Sequence, residues 1–561
     1  MLNNKEKFIC FDGNVFRDVV IGSDGSVSPV RYIERNRNIQ NGNVIDLPDM
    51  VSSIAEIDIA AERVVKAIRE NEVIGIFTDY DVDGATSRTV LLKALDRFIG
   101  LCGSKAVIKP FLVDRDEGYG LSMPAAKRIA DDNDVSLLIT ADCGTADNER
   151  IAFLKEHGID TIVTDHHDAH HVPHDAYAFV SPKSKESIAN GADTTIAGVA
   201  VAWSLIYKIK DILDLNCRVS DLLDYVALGT VADCVSMATP INRAIVRYGL
   251  SLINMRKRPC WKAAGDRGWL SDPVKSSDIA FKVGPCINAW GRLDLIDTSV
   301  NFLMSNDYGT AFKLSEKLDD MNNKRKEVQK KMFELILKNM DDSNPVIVAA
   351  HEDGVGGVQG IVASKVVERF GKPAAIGVVS GDKTSLSFRT AHDIPLGEFF
   401  SSMKDMDWVI KAGGHDAAGG ATIRTDCLEL LSRAFGEYIL TKTSRESLRP
   451  VTHVDAMVST HEQLREVADF RDNNEPFGNG CPVPVVMFEV SDSDMRIVGK
   501  DENILVGTLA INNSDVDAVA FQINNLEPLA DMTHVIGEPY WDVWNGNKRL
   551  KIMVRGFAKM R

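Results

Sequence analysis

From residue 59 to residue 164 the chain alternates short, continuous apolar runs with segments of helical spacing. Val73 to Thr78, Ala106 to Val113, Val135 to Ala141 and Ile159 to Thr164 are apolar throughout or nearly so. Runs of this length and kind predict strands buried on both faces. Ile59 to Glu70, Ala85 to Phe98, Met123 to Ala130 and Ala146 to Glu156 carry apolar residues three and four apart, which predicts helices between them. The alternation predicts a mostly parallel sheet with helices on both faces.

The pattern then changes. Ala197 to Leu213, and the stretch from Leu222 onward, read as helical. Tyr308 to Asp341 predicts one long polar helix, with Leu314, Leu318, Met321, Val328, Met332 and Leu335 on a recurring face. Such a helix usually spans two domains. Pro345 to Ala350, Ile361 to Phe370 and Ala374 to Val379 restart a strand–helix–strand order that ends near residue 445. Val451 to Arg561 reads as β-rich with little helix, its strands at Val485–Val490, Ile504–Ile511, Asp517–Ile523 and Arg549–Val554. A small barrel of the OB type accommodates that pattern. Residues 1–50 are polar and rich in Asn, Asp and Gly, with a strand-like piece from Lys7 to Phe11. The expected division is an N-terminal extension (1–50), a parallel-sheet domain (51–305), a connecting helix (306–342), a smaller α/β domain (343–445) and an OB-like domain (446–561).

Composition narrows the class. A chain of 561 residues is too long for one core. No apolar run approaches the length of about 18 residues that a membrane helix needs, and the start, Met1 to Lys5, lacks the apolar stretch of a secretory signal. Nine cysteines without a Cys-x-x-Cys pair argue against a zinc ribbon or a disulfide framework and fit a reducing cytoplasm. The net charge of −16, from 64 basic and 80 acidic residues, is opposite to that of a typical nucleic-acid binder. Affinity depends on charge along the binding track, however, and a carboxylate cluster holding cations accounts for part of the excess.

Acidic residues stand at the ends of the predicted strands. Val73–Thr78 runs into Asp79-Tyr80-Asp81-Val82-Asp83-Gly84, Val135–Ala141 into Asp142-Cys143-Gly144, and Ile159–Thr164 into Asp165-His166-His167. Gly229-Thr230-Val231-Ala232-Asp233 is a fourth such segment, from the helical part. In open α/β sheets, ligands bind at the carboxyl ends of the strands. One Asp at a strand end is ordinarily a turn former or a helix cap, but four such segments converging by accident is a poor explanation. Crowded carboxylates repel one another unless cations sit among them. Oxygen ligands with one or two imidazoles suit Mn²⁺ or Mg²⁺ better than a structural zinc.

In order and spacing these four segments resemble the motifs of the DHH phosphoesterases. Further matches point to the RecJ branch: Arg115 with Gly118-Tyr119-Gly120-Leu121, Ala197-Gly198-Val199, Asn242-Arg243, Gly284-Pro285-Cys286-Ile287-Asn288-Ala289-Trp290-Gly291-Arg292, Gly413-Gly414-His415-Asp416-Ala417-Ala418-Gly419 and Pro476-Phe477-Gly478. The resemblance covers roughly residues 45 to 490 and continues weakly to the end. It implies two divalent cations, Mn²⁺ or Mg²⁺, with Asp81 on one, Asp83 on the other, Asp142 bridging, and His166 and Asp233 completing the second site. Asp79 would be an outer ligand or a support. His167 would face the scissile phosphate, and Asp165 would orient the histidines. DNA or phosphate contacts would fall to Arg115, Tyr119, Asn288, Arg292, Ser387, Arg389, Gly414 and His415. Tyr540, Trp541 and Trp544 would stack bases or fill the barrel.

Two departures from the family pattern stand out. Phe77 occupies a position where many members have a His, which makes the first cation site weaker or more dependent on Asp79 and water. The loop Asp114-Arg115-Asp116-Glu117 is one residue short. His170, His171 and His174 match nothing in the family and read as a solvated loop, and Cys143 and Cys234 read as small core fillers. The activity implied is 5′-to-3′ hydrolysis of single-stranded DNA to 5′-mononucleotides by a monomeric cytoplasmic enzyme, with no membrane association. A single-strand-binding protein or another replication or repair protein is the candidate partner. The alternatives are a phosphodiesterase of short oligonucleotides or cyclic dinucleotides, and a DNA-binding scaffold that has lost catalysis.

Overall fold

Five strands, each hydrogen-bonded to its neighbour in parallel, form the sheet that the apolar runs predict. They are β1 (Val73–Thr78), β2 (Val107–Phe111), β3 (Val135–Ala141), β4 (Asp160–Thr164) and β5 (Ala178–Val180), in the spatial order β2-β1-β3-β4-β5. Pro110 lies in β2, an edge strand, where its missing N–H costs least. The computed structural model of the chain describes residues 8–11, 16–23, 28–37, 47–113, 117–118, 120–132, 134–168, 172–293, 298–390, 394–414, 417–448, 451–499, 503–512, 514–521, 533–544 and 547–560. The chain divides into two compact units, residues 38–323 with 474–482, and residues 1–37 with 324–473 and 483–561.

The five-stranded sheet belongs to the first unit. Its register sets Thr78 beside Ala141, Ala141 beside Thr164 and Thr164 beside Val180, so four strands, β1, β3, β4 and β5, end level with one another. On one face Phe77, Leu121, Ile129, Leu138, Ile151 and Val163 pack into a closed apolar core. Helices follow: α1 (Val82–Cys102), α2 (Gly198–Ile212), α3 (Leu223–Ala232), α4 (Pro240–Asn254) and α5 (Gly284–Leu293), with α1 packed on both α2 and α3. The segment Asn474–Pro482 belongs to this unit although far along the chain. Arg243 of α4 draws it in: its buried guanidinium donates to the carbonyls of Asn474 (2.6 Å) and Pro476 (2.8 Å). The Asn242-Arg243 and Pro476-Phe477-Gly478 motifs thus share a structural bond.

Helix α6 (Tyr308–Asn339) is unbroken, and the division between the units falls within it, after Asn323. In the second unit, Val409–Gly414, Ala418–Arg424, Lys383–Arg389, Ala374–Ser380 and Ile347–His351 form a sheet in that order, parallel only at its last pair. Phe388, Phe399, Phe400 and Phe435 fill one face, and Ile336, Ile347, Val362 and Ile376 the other.

Nine further strands among the described residues of this unit form a second sheet, whose first six are closed into a ring by pairing of Phe8–Phe11 with Asn547–Met560. The stretch 1–50, expected as a separate extension, instead supplies the strands Phe8–Phe11 and Phe16–Ser23 to this sheet. The two pair with each other, but their other partners, Asn547–Met560 and Val451–Met457, lie hundreds of residues away, so local pattern gave no sign of where they belong. After residue 451 the chain is β-rich as expected, with one helix among the described residues that the pattern reading did not place. His461–Asn473 is helical and packs on the strand His534–Trp544. Leu464, Val467, Ala468 and Phe470 give it a buried apolar stripe at helical spacing.

Candidate metal centre

The carboxyl edge of the parallel sheet holds the site. Because β1, β3 and β4 end level, the next residues, Asp79, Asp142 and Asp165, begin from one row. Their N–H groups still bond across the sheet edge, to Ala141, Thr164 and Val180 respectively. Asp142 then turns sharply, with φ of 59°. That left-handed conformation costs a non-glycine residue about 1–2 kcal/mol, and strain of this kind concentrates at functional sites.

Asp81 and Asp83 open α1. Asp81 is its N-cap, accepting from the Gly84 N–H at 3.0 Å. The expected capped turn and the expected ligand are therefore one residue. Asp83, fully buried, accepts from the N–H groups of Gly198 (2.7 Å) and Val199 (2.9 Å), the first residues of α2. The positive end of that helix faces the carboxylate. The approach requires glycine, because a Cβ on Gly198 would lie 2.8 Å from Asp142 Oδ1 and 3.0 Å from Asp83 Oδ2. Gly229 of α3 is held equally close, 2.8 Å from Asp83 Oδ1 at its absent Cβ. Asp233 follows α3 directly.

His166 stands at the centre. Its Nε2 lies 3.2 Å from Asp142 Oδ1, 3.5 Å from Asp233 Oδ2 and 3.8 Å from Asp83 Oδ2. Three overlapping groups bring ligand atoms within 4.8 Å of one another: Asp83, His166 and Asp233; Asp79, Asp81 and Asp142; and Asp142, His166 and His167. Asp142 is common to the second and third, and His166 to the first and third.

Asp165 is held apart from these groups. One oxygen accepts from the N–H of His166 (2.8 Å) and from His167 Nδ1 (2.7 Å), and the other from the Thr145 hydroxyl (2.6 Å) and N–H (3.1 Å). Burial works against its charge, but these bonds and the His167 charge hold its carboxyl well below the usual range. Burial opposes a charge on His167 as well. The Asp165 bond and charge outweigh it and raise the imidazole to about 9, so His167 is a cation at neutral pH. Burial, and then the His167 charge, push His166 down to about 3, leaving a neutral ring suited to a metal.

The donor set fits divalent cations. Burial first, then neighbouring carboxylates, push Asp79, Asp83 and Asp142 well above the ordinary carboxylate range, and Asp233 to about 7. A cation among them would reverse that destabilisation. Asp79 Oδ1 and His166 Nε2 are buried and find no hydrogen-bond partner among the described residues. Two such orphaned acceptors inside a ring of carboxylates are what a bound ion would satisfy.

Other expected site residues are placed elsewhere. Asn288 is half-buried in α5. Ser387, Arg389 and Gly414 belong to the second unit. Arg389 is half-buried, its pKa lowered by burial, and forms no ion pair among the described residues. Gly360, in the first turn of the helix Gln359–Phe370, leaves room for it, since a Cβ there would lie 2.9 Å from Arg389 Nη2. Arg115, Tyr119, His415, His170 and His171 lie outside the described residues, as do the side chains of Arg292 and Trp544. His174 is exposed. Trp541 donates to Asp469 at 2.7 Å and lies under Lys548, so it is a half-exposed ring rather than barrel core.

Phe77 points into the apolar core, fully buried. Cys143 is the core filler expected, but Cys234 is exposed, at φ 57°, because the chain turns outward after Asp233. Ala197-Gly198-Val199 stands among the motif matches, but the role of its amides on Asp83 was not legible there, and Thr145 carried no signal in the sequence.

A parallel α/β sheet that gathers buried carboxylates and imidazoles at its carboxyl edge defines a divalent-metal phosphoesterase of the DHH class. The DHH family N-terminal domain matches residues 73–230, the DHHA1 domain residues 343–441 and the RecJ OB domain residues 454–556. The chain belongs to the RecJ family. It is 30% identical over 540 residues to the single-stranded-DNA-specific exonuclease RecJ of Haemophilus influenzae, covering 91% of this chain and 92% of that protein. It is 30% identical over 514 residues to RecJ of Bacillus subtilis, covering 89% of this chain but 63% of that longer relative. Thermus thermophilus RecJ in complex with Mn²⁺ superposes with a TM-score of 0.78 at 22% identity, over 96% of this chain and 78% of that one. A second crystal structure, of exonuclease RecJ bound to manganese, gives 0.59 at 26% identity, over 70% and 98%.

Proposed function

We propose that the protein hydrolyses single-stranded DNA from its 5′ end, releasing 5′-mononucleotides, with two divalent cations held at the sheet edge. The observation that carries this reading is the ring of ligand atoms around His166 and Asp142, built on a chain whose relatives are single-stranded-DNA-specific exonucleases. Asp79, Asp81 and Asp142 would hold one cation, and Asp83, His166 and Asp233 the other, with Asp142 reaching both. Two cations in such a site supply Lewis acidity, activate water and neutralise charge on the attacking and leaving oxygens.

The protein's own groups do the rest. His167, kept cationic by Asp165, donates its outer N–H to a nonbridging phosphate oxygen as charge accumulates there. Asp165, anchored by Thr145, fixes the ring's tautomer and direction. The α2 amides hold Asp83 in one rotamer. Ser387 and Arg389 are the ligands we assign to the 5′-terminal phosphate, because a half-buried guanidinium with no carboxylate partner suits a doubly charged anion. We read the protein as a cytoplasmic monomer that receives its strand from a single-strand-binding protein, in keeping with a net charge of −16. No helix among the described residues is long and apolar enough to cross a membrane.

The test is digestion of one long strand, labelled at either end, with Mn²⁺, Mg²⁺ or EDTA. Mononucleotide released from the 5′ end, dependent on metal, lost in Asp142→Ala and absent on blunt duplex, is the expected result. Cleavage of dinucleotides but not of the long strand would move the protein to the small-substrate branch, and no hydrolysis at all would make it a scaffold.

A further inference from the structure

A second polar cavity lies in the same unit, away from the sheet edge. The helices that deliver Asp83 and Asp233 run on past the metal centre. Lys93 is ten residues beyond Asp83 on α1, about 15 Å along the axis at 1.5 Å per residue. Asp224 and Tyr225 stand at the opposite end of α3 from Asp233. Around Lys93, Asp224 and Tyr225 opens a cavity of about 570 Å³, within the roughly 300–1,000 Å³ of small-molecule sites.

Its lining mixes apolar and cationic groups. Tyr248, Leu252 and Met255 follow one another at helical spacing along α4 and its end, and Tyr248 is largely exposed. Lys93, Arg218, Lys257 and Arg258 supply the cations. Two carboxylates also reach the cavity, but their charge is already matched. Asp221 pairs with Arg97 at 2.9 Å. Asp224 accepts from Arg258 Nε and Trp261 Nε1, each at 2.6 Å. Lys93, Arg218 and Lys257 have no ion pair among the described residues.

Lys93 carries the argument furthest. It is half-buried and points over the Tyr225 ring at 6.0 Å, with the Arg258 guanidinium over the same ring at 4.7 Å. Burial, and then the Arg258 charge, lower its pKa. An ammonium placed beside another cation, and paired with no carboxylate, is stabilised by an anion from solution. In a chain with a net charge of −16, three unmatched cations around one concave surface form a local site rather than a diffuse basic face.

We propose that this cavity binds a free 5′-nucleotide, its phosphate on Lys93, Arg218 and Lys257 and its base along Tyr248 and Leu252. Such a ligand offers an anion to the lining cations and a flat ring to Tyr248 and Leu252. The site is separate from the centre proposed for hydrolysis, and its test does not depend on that centre.

Calorimetric titration of the full chain in EDTA, on an Arg389→Ala background to remove the proposed terminal-phosphate ligand, tests it. AMP and dAMP are the probes, with adenosine and inorganic phosphate alongside. One site is expected for a nucleotide, with the half-ligands weaker by about tenfold or more. A preference for dAMP over AMP would mark a released product as the natural source, and the reverse a ribonucleotide. The exposed double variant Arg218→Glu/Lys257→Glu should weaken nucleotide binding by about tenfold or more while Mn²⁺-dependent digestion by the otherwise wild-type chain is unchanged. Lys93→Met should act in the same direction, with the circular dichroism spectrum checking its fold. No nucleotide binding up to about 1 mM, or binding indifferent to the double variant, overturns the proposal. So does displacement of the nucleotide by an oligonucleotide with matching loss of DNA binding in the variant, which would make the cavity part of a DNA track.

Discussion

At the scale of single residues, the site depends on which acids are neutralised by protein and which are left for cations. Asp165 has both oxygens bonded to protein, through Thr145, His166 and His167, and belongs to none of the ligand groups. Asp165→Asn should therefore leave metal binding nearly intact and slow hydrolysis about 10–100-fold, the usual cost of losing an outer-shell partner. The variant should also lower the His167 pKa, because the carboxylate that raises it is gone. Titration of the His167 ring by NMR checks this, and an unchanged value would remove Asp165 from its proposed role. Phe77 is likewise explained at this scale. Its ring belongs to the apolar core, so a smaller residue there would cost packing rather than a ligand.

At the scale of elements, close approach of helices to the sheet edge sets the geometry. The N-terminus of α2 reaches Asp83 only because residue 198 has no side chain. Gly198→Ala should push α2 back, break the amide bonds to Asp83 and weaken Mn²⁺ binding more than it lowers the melting temperature. Calorimetric Mn²⁺ titration beside thermal melting separates the two effects, and equal affinity in the variant would refute the helix-end account. Arg243 is the corresponding device for the segment Asn474–Pro482. Arg243→Met leaves the carbonyls of Asn474 and Pro476 without their donors, and each buried orphan costs about 1–3 kcal/mol. Chemical denaturation should show that loss, and proteolysis should open the segment near Gly478 first.

At the scale of the whole molecule, cations and fold are linked. Buried carboxylates that repel one another oppose folding, and ions that bind only the folded state offset that cost by mass action. Mn²⁺ should raise the melting temperature, EDTA should reverse the rise, and Asp142→Ala should abolish it. A melting temperature indifferent to Mn²⁺ would argue against a cation at this edge. The charge of −16 over the full chain also becomes less anomalous, because part of it is gathered in this cluster.

How much of this was legible in the sequence follows the range of the interactions. Short apolar runs and helical spacing are local, so the parallel sheet, the long helix and the first strand–helix–strand of the second α/β sheet could be read directly, but not its three antiparallel strands. The strand-end acids were legible for the same reason. A parallel sheet brings the carboxyl ends of its strands to one edge, whatever the side chains between them. The remainder required the tertiary structure. Phe8–Phe11 pairs with Asn547–Met560 across nearly the whole chain, and Asn474–Pro482 joins α4 through Arg243. Neither is encoded in any local period. Cys234 turns outward because of a backbone angle, and Asp83 is held by amides of a helix that begins 115 residues later. By itself the sequence determined which chemical groups reach the sheet edge. Only the folded structure decided which acids are spent on hydrogen bonds and which remain for a metal, because that depends on neighbours brought together from distant parts of the chain.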